Sequence, residues 1–267
     1  SPLFLALSLI LSLSGAYWGR PDPNVSFMGT LTRECARFAL GLPFLRGGQI
    51  TKYMDEYSKR DRAWSVPDGY SLVEIELDNC RAELISENKG SKNAIIYFHG
   101  GSFVIGNMNI FRNVALKFSR LCGVAVLLVD YRTAPEHEHP CGLLDAISAW
   151  DYLVGSGFES GRIILAGDSA GGNLALSLAA SLRDKNESIP RGIICMSPWT
   201  DLAMKGESYT NNYRTDPIFG KRAEGKNVGS TLITAYAGNT SLCDSSLSPS
   251  YGDFHGFPPI LLQTGSD

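Results

Sequence analysis

Short, continuous apolar runs separated by helix-like stretches constrain this chain more than any other feature. The runs are "NAIIYF" (93–98), "VAVLLV" (124–129), "RIILAG" (162–167), "GIICMS" (192–197) and "PILLQT" (259–264), each bounded by turn-forming residues. Runs without polar alternation suit strands buried on both faces, as in a parallel sheet. Between them lie "FRNVALKFSRLC", "GLLDAISAWDYLV" and "NLALSLAASLRD", which read as helices. Strand alternating with helix predicts an α/β fold with a doubly wound, mostly parallel sheet. Upstream, "SLVEIEL" (71–77) alternates like a half-buried strand, and two helical stretches occupy 29–45 and 50–64. Residues 200–240 break the rhythm and read as an irregular and helical insertion between two core strands.

A chain of 267 residues with 44% hydrophobic and 19% charged residues is long enough for one large domain or two small ones. The net charge of −3, without basic runs, argues against a nucleic-acid partner. The six cysteines are scattered, with neither C-x-x-C pairs nor metal-ligand spacing, so no metal site and no disulfide framework is expected. Cys122 and Cys195 lie in or beside apolar runs and are expected to pack as small hydrophobes. "PLFLALSLILSLSGAYWG" carries no charge. It fits the apolar core of a signal peptide, the end of a membrane anchor, or an amphipathic cap helix. The lack of polar positions at helical spacing favours the first two, and hence a secreted or membrane-anchored protein. Sequons at Asn24, Asn186 and Asn239 add little to that choice.

The chemistry concentrates at Gly167-Asp168-Ser169-Ala170-Gly171. This G-x-S-x-G joins an expected strand to an expected helix, the setting in which a serine is exposed on a sharp turn as a nucleophile. The glycines let neighbouring backbone pass closely, and the helix N-terminus favours the negative charge that develops on attack. "YFHGGSFVIG" (97–106) supplies a second element. Its consecutive glycines suggest an oxyanion hole built from Gly100 and Gly101, with the N–H of Ala170 as the further donor. His99 is expected to hold that loop by hydrogen-bonding backbone rather than to act as the base.

Together with "VDYRTAPEHEHP" (129–140), "SPWTDL" (197–202) and "LSPSYGDFHGFPPILLQTGSD" (247–267), these motifs resemble the hormone-sensitive lipase family of α/β-hydrolases, in particular its bacterial esterases. The resemblance runs from about Tyr70 to the last residue. It implies an α/β-hydrolase core over 70–267, a helical cap formed partly by 19–69, and hydrolysis of small-molecule carboxylic esters without a cofactor. It makes Ser169 the nucleophile and Asp267 a candidate acid. Asp130, Arg132, Glu136, His137 and Asp145 become scaffolding of the site.

The base is the difficulty. The triad order on this fold is serine, acid, histidine. Of His99, His137, His139 and His255, the first three precede Ser169, and His255 precedes the acid strand. None matches the family histidine. The expectation is therefore a fragment of a longer protein, inactive by itself because the catalytic histidine is not among its residues. Two other readings stay open. One is a non-catalytic small-molecule-binding protein on the same fold, as the plant gibberellin receptors are. The other is an amidase or arylformamidase.

Overall fold

The computed structural model describes residues 64–106, 108–212 and 228–265. The N-terminal apolar segment, the helical stretches of 29–63, the core of the 200–240 insertion and Asp267 lie outside the described residues. A larger unit holds 64–206 and 230–265 of these, and a smaller one holds 207–212 and 228–229.

Every apolar run becomes a strand. The strands are β1 (Tyr70–Glu76), β2 (Arg81–Glu87), β3 (Ala94–Phe98), β4 (Ala125–Asp130), β5 (Ile163–Asp168), β6 (Gly192–Met196) and β7 (Ile260–Gln263). They form one sheet in the order β1-β2-β4-β3-β5-β6-β7. From β4 to β7 all neighbours are parallel, whereas β1–β2 and β2–β4 are antiparallel. β3 and β4 are the most hydrophobic strands and occupy the middle, where both faces are covered. The strand β2 is absent from the sequence expectation. Its "RAELISE" includes Glu83, which is 1% exposed and is gripped by Arg112, with Nε 2.7 Å from Oε2.

Helix α1 (Met108–Cys122) packs on one face, against Ile95, Tyr97, Val126 and Leu128. Helices α2 (Cys141–Gly155) and α3 (Ala170–Asp184) cover the other face, where Trp150, Leu153, Leu174 and Leu178 meet Ile96, Phe98, Leu127 and Leu165. Two further helices are α4 (Ser208–Asn211), in the smaller unit, and α5 (Val228–Ala237). Among the described residues no helix is long and apolar enough to cross a membrane.

The cysteine expectation holds in part. Cys195 is buried on β6, but Cys122 is exposed. The buried stripe of α1 runs through Met108, Ala115 and Ser119, and the last turn faces away from the sheet beside the exposed Leu121. No disulfide forms among Cys80, Cys122, Cys141, Cys195 and Cys243.

Candidate active site

Asp168 ends β5 and Ala170 begins α3, so Ser169 alone makes the turn between them. Its backbone stands at φ 52° and ψ −117°. A side chain is rarely placed there, and such strain persists only where the surroundings hold it. Here they do. Ser169 N–H donates to the Met196 carbonyl at 3.0 Å, and Trp199 N–H donates to the Ser169 carbonyl at 2.9 Å. The N–H of Ala170 opens a 15-residue helix and has no partner among the described residues.

The segment after β3 runs alongside. The Gly101 φ of 136° is a conformation that favours glycine, and the Ile105 carbonyl fills the space a Cβ would need. The loop is staked along its length. Tyr131 Oη donates to the His99 carbonyl at 2.6 Å. His99 Nδ1 lies 2.8 Å from the Gly100 carbonyl, which can only accept, so Nδ1 carries the proton. The Gly101 carbonyl accepts from Val104 and Ile105 N–H at 3.1 and 2.9 Å.

The structure treats the two glycine N–H groups differently. Gly100 N–H, expected from the sequence to face a substrate, donates to Asp168 Oδ1 at 2.9 Å. Gly101 N–H has no partner among the described residues. The first of the expected donors is thus already engaged, because the Asp168 side chain reaches across from the neighbouring strand.

His99 is stacked between Tyr131 and Phe111, with ring centroids 4.4 and 5.1 Å away. Burial pushes it below its ordinary pKa and keeps it neutral. Its Nε2 is buried and has no partner among the described residues. His139 lies near Thr240 Oγ1 and Ser246 Oγ, both at 3.3 Å. His137 and His255 are exposed. None of the four histidines hydrogen-bonds Ser169.

The expected scaffolding divides. The Arg132 guanidinium forks onto buried Asp145, with Nη2 to Oδ1 at 2.8 Å and Nε to Oδ2 at 3.0 Å. Asp130 faces Arg81 at 3.6 Å. Glu136 and His137 are exposed instead, because the chain turns outward after Ala134.

Sequence reasoning missed Asn173. One turn into α3, its Nδ2 donates to the carbonyls of Trp199 and Leu247 at 2.8 and 2.9 Å. It ties the helix that follows Ser169 to the segments behind β6. In sequence, the only signal for it is an amide among the apolar residues of the first two turns of the helix.

Residues 95–267 match a family model described as an alpha/beta hydrolase fold. An acetyl-hydrolase of Streptomyces hygroscopicus is 32% identical over 225 residues, 83% of this chain and 73% of that protein. An esterase of Acinetobacter venetianus is 32% identical over 192 residues, 72% of this chain and 62% of its own length, so the chain spans less than two thirds of that relative. The crystal structure of an esterase from the bacterial hormone-sensitive lipase family superposes with a TM-score of 0.69 at 29% identity, covering 100% of this chain and 79% of that one. The chain belongs to the α/β-hydrolase fold family, on its hormone-sensitive lipase branch of carboxylesterase-type hydrolases.

Proposed function

We propose that the protein hydrolyses carboxylic esters through an acyl-enzyme on Ser169. The observation that carries this reading is the Ser169 backbone, held at φ 52° on the turn between β5 and α3. Strain of about 1–3 kcal/mol is retained in folded proteins mainly where function needs the geometry. In the reaction the Ser169 hydroxyl oxygen bonds to the ester carbonyl carbon while a base takes its proton. The carbonyl oxygen becomes an oxyanion, which the N–H groups of Gly101 and Ala170 stabilise. Collapse expels the alcohol, which leaves with the proton from the base. Water then attacks the acyl-serine by the same route and releases the acid.

Gly100 supports this arrangement through the bond its N–H makes to Asp168, rather than as a donor to the substrate. The placement of the four histidines argues that none of them is the base. We infer that the base is a histidine outside these residues, with Asp267 a candidate for its orienting acid. The acetyl-hydrolase relative makes acetyl esters the first substrates to try. A fluorophosphonate probe applied to the full-length protein should label Ser169, and Ser169→Ala should abolish both labelling and p-nitrophenyl acetate hydrolysis. Equal labelling of the two proteins would overturn the reading.

A further inference from the structure

We propose that Asp168 is a positioning residue for the ester-hydrolase reaction: through the hydrogen bond it accepts from Gly100 N–H, it locks the glycine loop onto the turn that carries Ser169. This rests on the ester-hydrolase reading above.

Asp168 directly precedes Ser169, so anything that fixes its side chain is fixed relative to the nucleophile. Its carboxylate spans two parallel strands, since Gly167 of β5 pairs with Phe98 of β3. Oδ1 accepts from Tyr97 Oη at 2.7 Å and from Gly100 N–H at 2.9 Å. Oδ2 occupies the space a Cβ on Gly100 would need. The carboxylate therefore lies directly over the loop backbone. Tyr97 keeps it there, because the tyrosine ring is itself packed against Phe111 and Phe118 of α1.

The consequence falls on one peptide group. The peptide between Gly100 and Gly101 is planar and trans, so its C=O and N–H point in opposite directions. His99 Nδ1 holds the Gly100 carbonyl from one side. Asp168 holds the N–H at the other end of Gly100. With both restraints in place, the Gly101 N–H can point only away from the His99 ring. A donor fixed before the oxyanion forms costs nothing to reorganise, which is the source of its catalytic value.

A carboxylate is an odd choice beside a site where negative charge develops, because like charges repel. Its contribution is therefore one of geometry, and a neutral side chain of the same shape should replace it. In Asp168→Asn the amide oxygen can accept both hydrogen bonds.

The test uses the full-length protein with p-nitrophenyl acetate, active sites being counted by phosphonate labelling. Asp168→Ala should lower kcat by about 10²-fold with KM little changed, the loss typical of a catalytic group misplaced by about 1 Å. Asp168→Asn should stay within about threefold of wild type, since both acceptor bonds survive. Amide hydrogen exchange in the peptide spanning 97–106 gives a readout independent of turnover. Exchange there should speed up in Asp168→Ala and stay slow in Asp168→Asn.

Unchanged kcat in Asp168→Ala, or an Asp168→Asn variant as slow as Asp168→Ala, would overturn the proposal. So would exchange that is the same in all three proteins. Wild-type protein without Ser169-dependent turnover would instead overturn the ester-hydrolase reading, and the exchange data would then decide the lock on their own. A merely structural Asp168 would lower the melting temperature of Asp168→Ala and leave kcat per active site unmoved.

Discussion

The Phe98 carbonyl oxygen occupies the space that a Cβ on Gly171 would need. Phe98 ends β3 and Gly171 lies in the first turn of α3, so this contact sets how closely the helix after Ser169 sits on the sheet. Gly171→Ala must push α3 away from β3. Forcing a methyl into packed backbone costs about 1–3 kcal/mol or more. Urea unfolding should show a loss in that range. Ester hydrolysis should also fall, because the same shift moves the Ala170 N–H. A variant as stable as wild type would show that α3 can slide without cost.

Ser169 separates stability from activity. Its φ of 52° strains any side chain, and glycine adopts that conformation freely. Ser169→Gly should raise folding stability by about 1 kcal/mol while abolishing hydrolysis, the trade-off expected when strain is kept for function. Differential scanning calorimetry of wild type, Ser169→Ala and Ser169→Gly measures it, with the glycine variant melting highest. A glycine variant that melts below the alanine one would contradict the strain argument.

Legibility in the sequence followed the range of the interactions. The central strands and α1 to α3 could be read because their signal is local: apolar runs, helical periodicity and glycines beside Ser169. The β2 strand could not. Its Glu83 reads as a solvent-facing charge, and only Arg112 on a later helix makes its burial tolerable. The strand order was equally hidden, since "RAELISE" carries no sign that it lies next to β4. At the site, the Ser169 turn was legible from its motif, whereas the bond between Asp168 and Gly100 spans 68 residues of sequence. Motif reading offered both glycines as donors, and the long-range bond distinguishes them. Asn173 follows the same rule, because its partners arrive from the far ends of two later segments.

Asn173 should prove costly to remove although it touches no reacting atom. Asn173→Leu removes the amide donor from the buried Leu247 carbonyl and from the part-buried Trp199 carbonyl. It also deprives Ser177 Oγ of the Asn173 Oδ1 acceptor at 3.2 Å. Each unsatisfied buried polar group costs about 1–3 kcal/mol, so a loss of about 2–5 kcal/mol is expected in chemical unfolding. Hydrolysis should weaken as well, since Trp199 N–H holds the Ser169 carbonyl. A neutral substitution would mean that other donors replace the amide.

Two histidines make stability depend on pH in a defined window. Burial lowers the pKa of His99 and of His139 below the ordinary value of 6.5. Asp244, close to His139, opposes that shift without reversing it. In the unfolded chain both rings bind a proton as pH falls through about 6.5, while the folded protein resists protonation. Over that interval the unfolded state holds more protons, so stability is fully present above about pH 6.5 and declines as pH falls toward the folded values. The slope is at most about 1.4 kcal/mol per pH unit for each ring. Urea unfolding at pH 7.5, 6.5 and 5.5 should show the wild type losing stability between 6.5 and 5.5, with less change above. His139→Gln keeps a polar side chain beside Thr240 and Ser246 but cannot titrate, so its loss over the lower interval should be smaller than that of wild type. A variant that tracks wild type at every pH would assign the whole dependence to His99, and a wild type equally stable at pH 7.5 and 5.5 would remove the histidine argument altogether.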